Sequence, residues 1–340
     1  MPRIALRTAL GALVLAAAVP SQALAWGATG HRLIGTLAAK NLPDEIPAFL
    51  RTPEAIAQIG ELAREPDRWR GSGKTHDAER DPGHFVDVSD DLTVLGGVSL
   101  KALPPTRAEY DTALRGVGAT QYKAGYLPYS IIDGWQQLKE DFAYWRVAAA
   151  GERFAASASD RAWFAADRRL REAITIRDFG VWAHYVGDAS QPLHVSVHYD
   201  AWGDYPNPEG FNTTRGFHLR FEGAFVRANV GESDVTPLLA PYRDCACTIE
   251  ARTADYLVAT QSHVIELFRM EKAHDFDGLN GEGKAFAAAR LAAGVDELRD
   301  MAIDAWRASA DAVIGFKKIA VKDAEAGHLD GVLVELQGDD

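Results

Sequence analysis

The stretch Trp182-Ala183-His184-Tyr185-Val186-Gly187-Asp188-Ala189-Ser190-Gln191-Pro192-Leu193-His194 holds a helix, the end of that helix and three side chains able to ligate a metal. His184 and Asp188 are four residues apart, so on a helix they project from one face, one turn from each other. An imidazole nitrogen beside a carboxylate oxygen is a ligand pair suited to zinc. Pro192 cannot continue the helix, and the break lets His194 return over the helix end, toward the same ion or a neighbouring one. Taken alone, the stretch also reads as a core histidine before a helix-ending turn. The residues around it decide between the two readings.

Helical periodicity extends back from this stretch, so residues 161–187 are expected to form the helix that delivers His184 and Asp188. Upstream, Trp26-Gly27-Ala28-Thr29-Gly30-His31 leads into Leu33, Ile34, Leu37 and Ala38 at helical spacing. Residues 54–69 read as one helix with Ile56, Ile59, Leu62 and Ala63 on its apolar face. Asp67 lies near its end, with Arg64, Arg68 and Arg70 as available ion-pair partners. Pro82-Gly83-His84-Phe85-Val86-Asp87-Val88 reads as extended, with His84 just beyond a turn signal. Residues 93–105 read as a loop. A long amphipathic helix then runs from Tyr129 through Trp135, Leu138, Phe142 and Trp145, aromatics that its spacing assigns to core packing.

Downstream of His194, residues 196–216 mix Tyr199, Trp202, Tyr205 and Phe211 with Gly, Pro, Asn and Asp, the composition of a long ordered loop. Long loops beside sites often select substrates. The loop leads to Phe217-His218-Leu219-Arg220-Phe221-Glu222, where His218 and Glu222 repeat the four-residue spacing of nitrogen and carboxylate on what is expected to be a second helix. Residues 249–270 and 285–314 are alanine-rich helical scaffold. His76, His263, His274 and His328 carry no comparable context, and the polar end after Lys318 is expected to fray. The expected fold is therefore all-α, a single domain over 26–320 with a polar tail over 321–340.

Residues 1–25 are set aside as a secretion leader. Arg3 and Arg7 precede an apolar run over 9–19, and Ala23-Leu24-Ala25 supplies a small-x-small cleavage site. The expected product begins at Trp26 and is secreted or periplasmic. No apolar run is long enough to be expected to span a membrane. The freed α-amino group of Trp26 has an ordinary pKa of ~7.7 and becomes a neutral nitrogen ligand when a metal competes for its proton. Without the leader the 36 basic side chains become 34 against 48 acidic ones, a net charge of −14. That charge repels a polyanion at long range, so any phosphate binding must be local. Only Cys245 and Cys247 are present. Their one-residue spacer makes a bridge strained, and they are expected to pair weakly or stay as thiols. The sequence has no glycine-rich nucleotide loop, nucleophile elbow or internal repeat.

Trp26, His31, Asp67, His84, His184, Asp188, His194, His218 and Glu222, in this order and spacing, resemble the trinuclear zinc phosphoesterases. That group contains the single-strand-specific nucleases of the mung bean type and the bacterial zinc phospholipases C, and the resemblance runs from Trp26 through Glu222. It implies three zinc ions. Asp67, His84, His184 and Asp188 would hold the first, and the amino nitrogen and carbonyl of Trp26 with His31 and Asp188 the second, so that Asp188 bridges the pair. His194, His218 and Glu222 would hold the third. The implied reaction is phosphodiester hydrolysis by a zinc-activated hydroxide, with Asp67 orienting or deprotonating the water.

Two branches of the group compete for the substrate. The Trp26-Gly27 to Gly30-His31 opening and Gln191-Pro192-Leu193-His194 resemble the nucleases, and the favoured substrate is single-stranded DNA or RNA. Glu222, where those nucleases usually carry aspartate, and the run from His218 to Val226 resemble the phospholipases, which makes phospholipid the alternative. The glycine-glycine-asparagine run that usually follows the nuclease's central motif is replaced by the aromatic loop. A monomer is the expected form. The reading from another class is a secreted metal-binding protein without turnover.

Overall fold

The computed structural model describes residues 26–279, 281–316 and 318–338. The expected leader and cleavage site at 1–25, and the last two residues of the expected tail, lie outside the described residues. Seven helices build the frame. They are α1 (Gly27–Lys40), α2 (Pro53–Leu62), α3 (Leu127–Phe154), α4 (Ala158–Asp188), α5 (Ile249–Gln261), α6 (Val264–Lys272) and α7 (Gly281–Ser309). Among the described residues the only strands are two hairpins, Thr93–Val94 with Val98–Ser99 and Val313–Ile314 with Ile319–Ala320. The all-α expectation therefore holds, and the predicted loop over 93–105 contains the first of these small hairpins.

The centre of the frame is the antiparallel pair α3 and α4. Ser157 caps α4 by accepting from the Asp160 N–H at 2.9 Å, so the chain reverses within three residues. The two helices approach closely because Gly134 faces Trp182. A Cβ there would lie 2.1 Å from the indole Cδ1, so only glycine lets Trp182 lie flat against α3. The Trp182 indole N–H then donates to the Ile131 carbonyl at 2.9 Å. α1 and α7 pack over the pair, and one continuous apolar core runs from Trp26 through Ile34, Leu138, Phe179, Leu291 and Met301 to Ala305.

Three expected elements are broken. Residues 54–69 form α2 and a separate turn at Glu65–Arg68, because Pro66 has no N–H to extend the first helix. Residues 249–270 divide at Ser262 into α5 and α6. Residues 82–88 begin with a 3₁₀ turn at Asp81–His84, and only from Phe85 onward is the backbone extended. There the Val86 N–H donates to the His194 carbonyl at 2.9 Å, and the Val197 N–H to that of Val88 at 3.0 Å.

The expectation of a frayed C-terminal tail from 321 onward is corrected. Val321, Ala324 and Val332 are buried with Ile314 and Ile319 against Val147, Ala150 and Phe164, at the α3–α4 turn. Periodicity missed this because the segments, Val321–Glu325 and Val332–Gln337, are too short to display a helical repeat. Cys245 and Cys247 are joined in a disulfide, with their Cα atoms 5.1 Å apart, so neither remains a thiol.

Candidate metal centre

α4 ends at Asp188, and the ligating side chains gather around that end. His184 and Asp188 are fully buried on one face of the helix, as the spacing predicts. The break after α2 gives His184 its orientation. The Ala63 carbonyl, left unused where the helix stops, lies 2.8 Å from His184 Nδ1. That contact puts the proton on Nδ1 and turns the Nε2 lone pair inward. His194 is fixed in the same way, with Nδ1 2.6 Å from the His84 carbonyl.

Three groups of converging atoms result, each fit to hold a metal ion: Asp67 with His84 and His184; His31 with His184 and Asp188; and His194 with His218 and Glu222. In the first, His184 Nε2 stands 2.8 Å from His84 Nδ1, and Asp67 Oδ1 is 4.0 and 3.9 Å from the two nitrogens. Asp188 spans the first two groups. Its Oδ2 is 3.1 Å from His84 Nδ1 and 3.3 Å from His184 Nε2, whereas its Oδ1 faces His31 Nε2 at 3.4 Å. In the third group Glu222 Oε2 is 2.7 Å from His218 Nε2 and 3.5 Å from His194 Nε2. The segment Leu219–Phe225 is a π-helix, wider than the α-helix expected there.

Hydrogen bonding within the protein does not satisfy this arrangement. Asp67 Oδ1, Asp188 Oδ1 and Glu222 Oε1 are buried without a hydrogen-bond partner among the described residues. Burial pushes the Asp188 carboxyl up to about 8, and raises Asp67 as well. Burial also holds His184 down to about 4 and His84 well below its ordinary value. Burial would also raise Glu222, but His218 and His194 keep it low, and Glu222 in return raises His218 against the effect of burial. Carboxylates and neutral imidazoles pointing at common points inside a protein are what a divalent cation resolves, because the ion supplies the missing charge and takes the orphaned lone pairs. The residues fit metal ions.

Eight of the nine expected ligands are thus brought together through their side chains. The ninth, Trp26, lies beside them. Its indole N–H is within 2.9 Å of the Gly187 carbonyl and 2.8 Å of Ser190 Oγ, and its φ of 27° bends the chain sharply into α1. Sequence reasoning passed over several supporting residues. Gln191 holds Glu222 through Nε2 at 3.2 Å while its Oε1 accepts from the Leu193 N–H at 2.7 Å. Asp200 Oδ1 accepts from the backbone N–H groups of Gly216 and His218 at 3.0 and 3.1 Å, tying the aromatic loop to the third group. His198 is buried face to face with Trp202, with its ring nitrogens at the Trp202 carbonyl and at Asp90, so it anchors the loop and ligates nothing. The signal for it was the repeat of histidine four residues after His194.

The first and third groups reach, through His84, His194 and His218, a cleft of about 420 Å³ whose walls also include Arg70, Phe85, Asp87, Lys123 and Tyr199. Arg70 is largely buried, 3.5 Å from both Asp67 and Asp81. Among the described residues no helix is long and apolar enough to cross a membrane. Comparison of the chain with protein-family models, with curated proteins and with solved structures found no match to any of them.

Proposed function

We propose that the protein is a zinc-dependent phosphodiesterase of the trinuclear type, acting on single-stranded DNA or RNA. The observation that carries this reading is Asp188, whose Oδ2 faces His84 and His184 while its Oδ1 faces His31, with a third group of potential ligands nearby at His194, His218 and Glu222. Imidazole and carboxylate ligands without thiolate suit zinc, and bound zinc would supply Lewis acidity and lower the pKa of water to near neutrality.

The chain's own groups do the rest. Asp67, raised by burial, is placed to orient a water molecule and take its proton. Arg70 and Lys123, which line the cleft together with Asp81 and Asp87, would offer N–H donors to the phosphodiester oxygens. Phe85 and Tyr199 offer ring faces on the cleft wall for unstacked bases, which supports a single-stranded polymer.

The test is a parallel assay of single-stranded DNA, RNA and phosphatidylcholine vesicles with the zinc-loaded protein beginning at Trp26. Cleavage of single strands that chelation abolishes and zinc restores is the expected result. Hydrolysis of vesicles alone would move the protein to the phospholipase branch, and zinc binding without turnover of any phosphodiester would make it a metal-binding protein.

A further inference from the structure

Tyr199 marks the edge of the metal cleft, and it also lines a second pocket of about 400 Å³ formed by the aromatic loop, together with Asp200, Tyr205, Thr213 and Arg215. Tyr199 is 41% exposed. The Arg215 guanidinium stands over that ring, 5.6 Å from its centroid, and donates from Nη2 to the Tyr199 hydroxyl at 2.9 Å. Among the described residues Arg215 has no carboxylate within ion-pair distance. Asp200, which shares the pocket, already has Oδ1 committed to the Gly216 and His218 N–H groups. Arg215 is therefore a cation without an ion-pair partner among the described residues, in a pocket that Asp200 and Asp204 also line, held against the partly exposed Tyr199 at the mouth of the metal cleft.

The platform beneath this pair is rigid. His198 stacks on Trp202 with ring centroids 3.7 Å apart, Tyr205 meets His198 edge-on, and the Trp202 N–H donates to the Asn212 carbonyl at 3.0 Å. An aromatic face and a guanidinium side by side match the repeating unit of a single-stranded nucleic acid. One accepts a base by stacking, and the other a phosphate through paired N–H donors.

We propose that the pocket of the 196–216 loop is a second nucleotide subsite, in which Arg215 binds the phosphate and Tyr199 the base of the nucleotide next to the scissile phosphodiester. This rests on the phosphodiesterase reading above, and it assigns that site a polymeric substrate engaged over more than one nucleotide. The 196–216 loop would then confer a preference for longer strands.

The experiment measures kcat/KM of the zinc-loaded protein, Arg215→Ala and Arg215→Lys on bis(p-nitrophenyl) phosphate, a thymidine dinucleotide and a thymidine hexanucleotide, with zinc content measured alongside. The ratio of hexanucleotide to dinucleotide kcat/KM should fall roughly tenfold in Arg215→Ala, and less in Arg215→Lys, because one stacked or phosphate-bound nucleotide contributes about that factor. Equal ratios in all three proteins would overturn the subsite. So would a loss of zinc in Arg215→Ala, which would make Arg215 a support of the third metal group. If the unaltered protein cleaves the small diester but neither oligonucleotide, the subsite is overturned while the phosphodiesterase reading stands. Failure on these three substrates and on the phosphatidylcholine vesicles would sink the phosphodiesterase reading itself.

Discussion

The metal-ligating groups at the end of α4 and the arginine network along α7 both bury several carboxylates in a helical core, but they neutralise them differently. Along α7, the chain supplies the cations. Arg252 of α5 is buried with Nε 2.6 Å from Glu297 and Nη1 2.7 Å from Asp304, while Arg299 reaches Asp300 at 2.6 Å and Asp296 at 3.0 Å. Backbone N–H groups of Arg243 and Ala240 complete Asp300 and Asp296. At the end of α4, Asp67, Asp188 and Glu222 meet imidazoles, and Arg70 approaches from one side only. A third solution is seen in Asp141 of α3. It accepts from Gln137 at 3.0 Å, and burial, reinforced by Asp178, pushes its carboxyl up to about 7. A buried carboxylate in this fold therefore meets an arginine, takes a proton or, at the α4 end, stands among imidazoles in a group that could hold a metal ion.

The contrast is sharpest at Asp188. Asp188→Asn should lower phosphodiesterase turnover roughly a thousandfold, because an amide cannot supply the charge that holds two cations together. Glu222→Asp should cost only about tenfold, since the charge stays and the reach shortens by one methylene. Rates and zinc stoichiometry measured on both variants check this, and equal losses with fold and zinc preserved would remove Asp188 from the bridging role.

Arg252→Ala should act in the opposite way. It leaves buried Glu297 and half-buried Asp304 without their closest cation, so urea unfolding should show a loss of about 3 kcal/mol, with zinc content of the folded protein unchanged. A variant that loses zinc before it loses stability would mean that the two regions are not separate.

A smaller effect is expected at Trp26. An extra Met before it converts the terminal amine into a peptide nitrogen, whose lone pair is delocalised and donates poorly to zinc. The extended protein should bind about one zinc fewer and lose most of its turnover, the His31 and Asp188 position weakening first. Full zinc and full rate in the extended protein would leave Trp26 as a packing residue.

The smallest effect concerns Asp141. Its folded pKa lies above the unfolded value, so the stability it contributes is complete below about pH 4 and is lost as the pH rises toward 7. Asp141→Asn cannot ionise, and should exceed the parent protein by on the order of 2 kcal/mol at pH 8 while matching it near pH 4. Urea unfolding at the two pH values measures the difference, and a constant offset would show that Asp141 stays ionised.

The sequence by itself determined the helical class and picked out the side chains that the structure gathers into three groups able to hold a metal ion. His184 and Asp188 were legible because one helix turn brings residues four apart together, and Pro192 marked the reversal that returns His194. The grouping and the bridging role of Asp188 entered the sequence reading only through family resemblance. In the structure they rest on contacts between residues far apart in the chain, such as Ala63 with His184 and His84 with His194. The break at Pro66 shows why. Periodicity marks where apolar residues recur, but it does not show that a carbonyl left unused at a helix end will orient an imidazole 121 positions later. The same holds for Asp200, Gln191 and Arg215, whose polar side chains read as ordinary loop composition until the tertiary structure places each against a partner. Local spacing is fixed by backbone geometry, whereas the choice of arginine, proton or metal for a buried carboxylate depends on which side chains packing brings within a few ångströms of it.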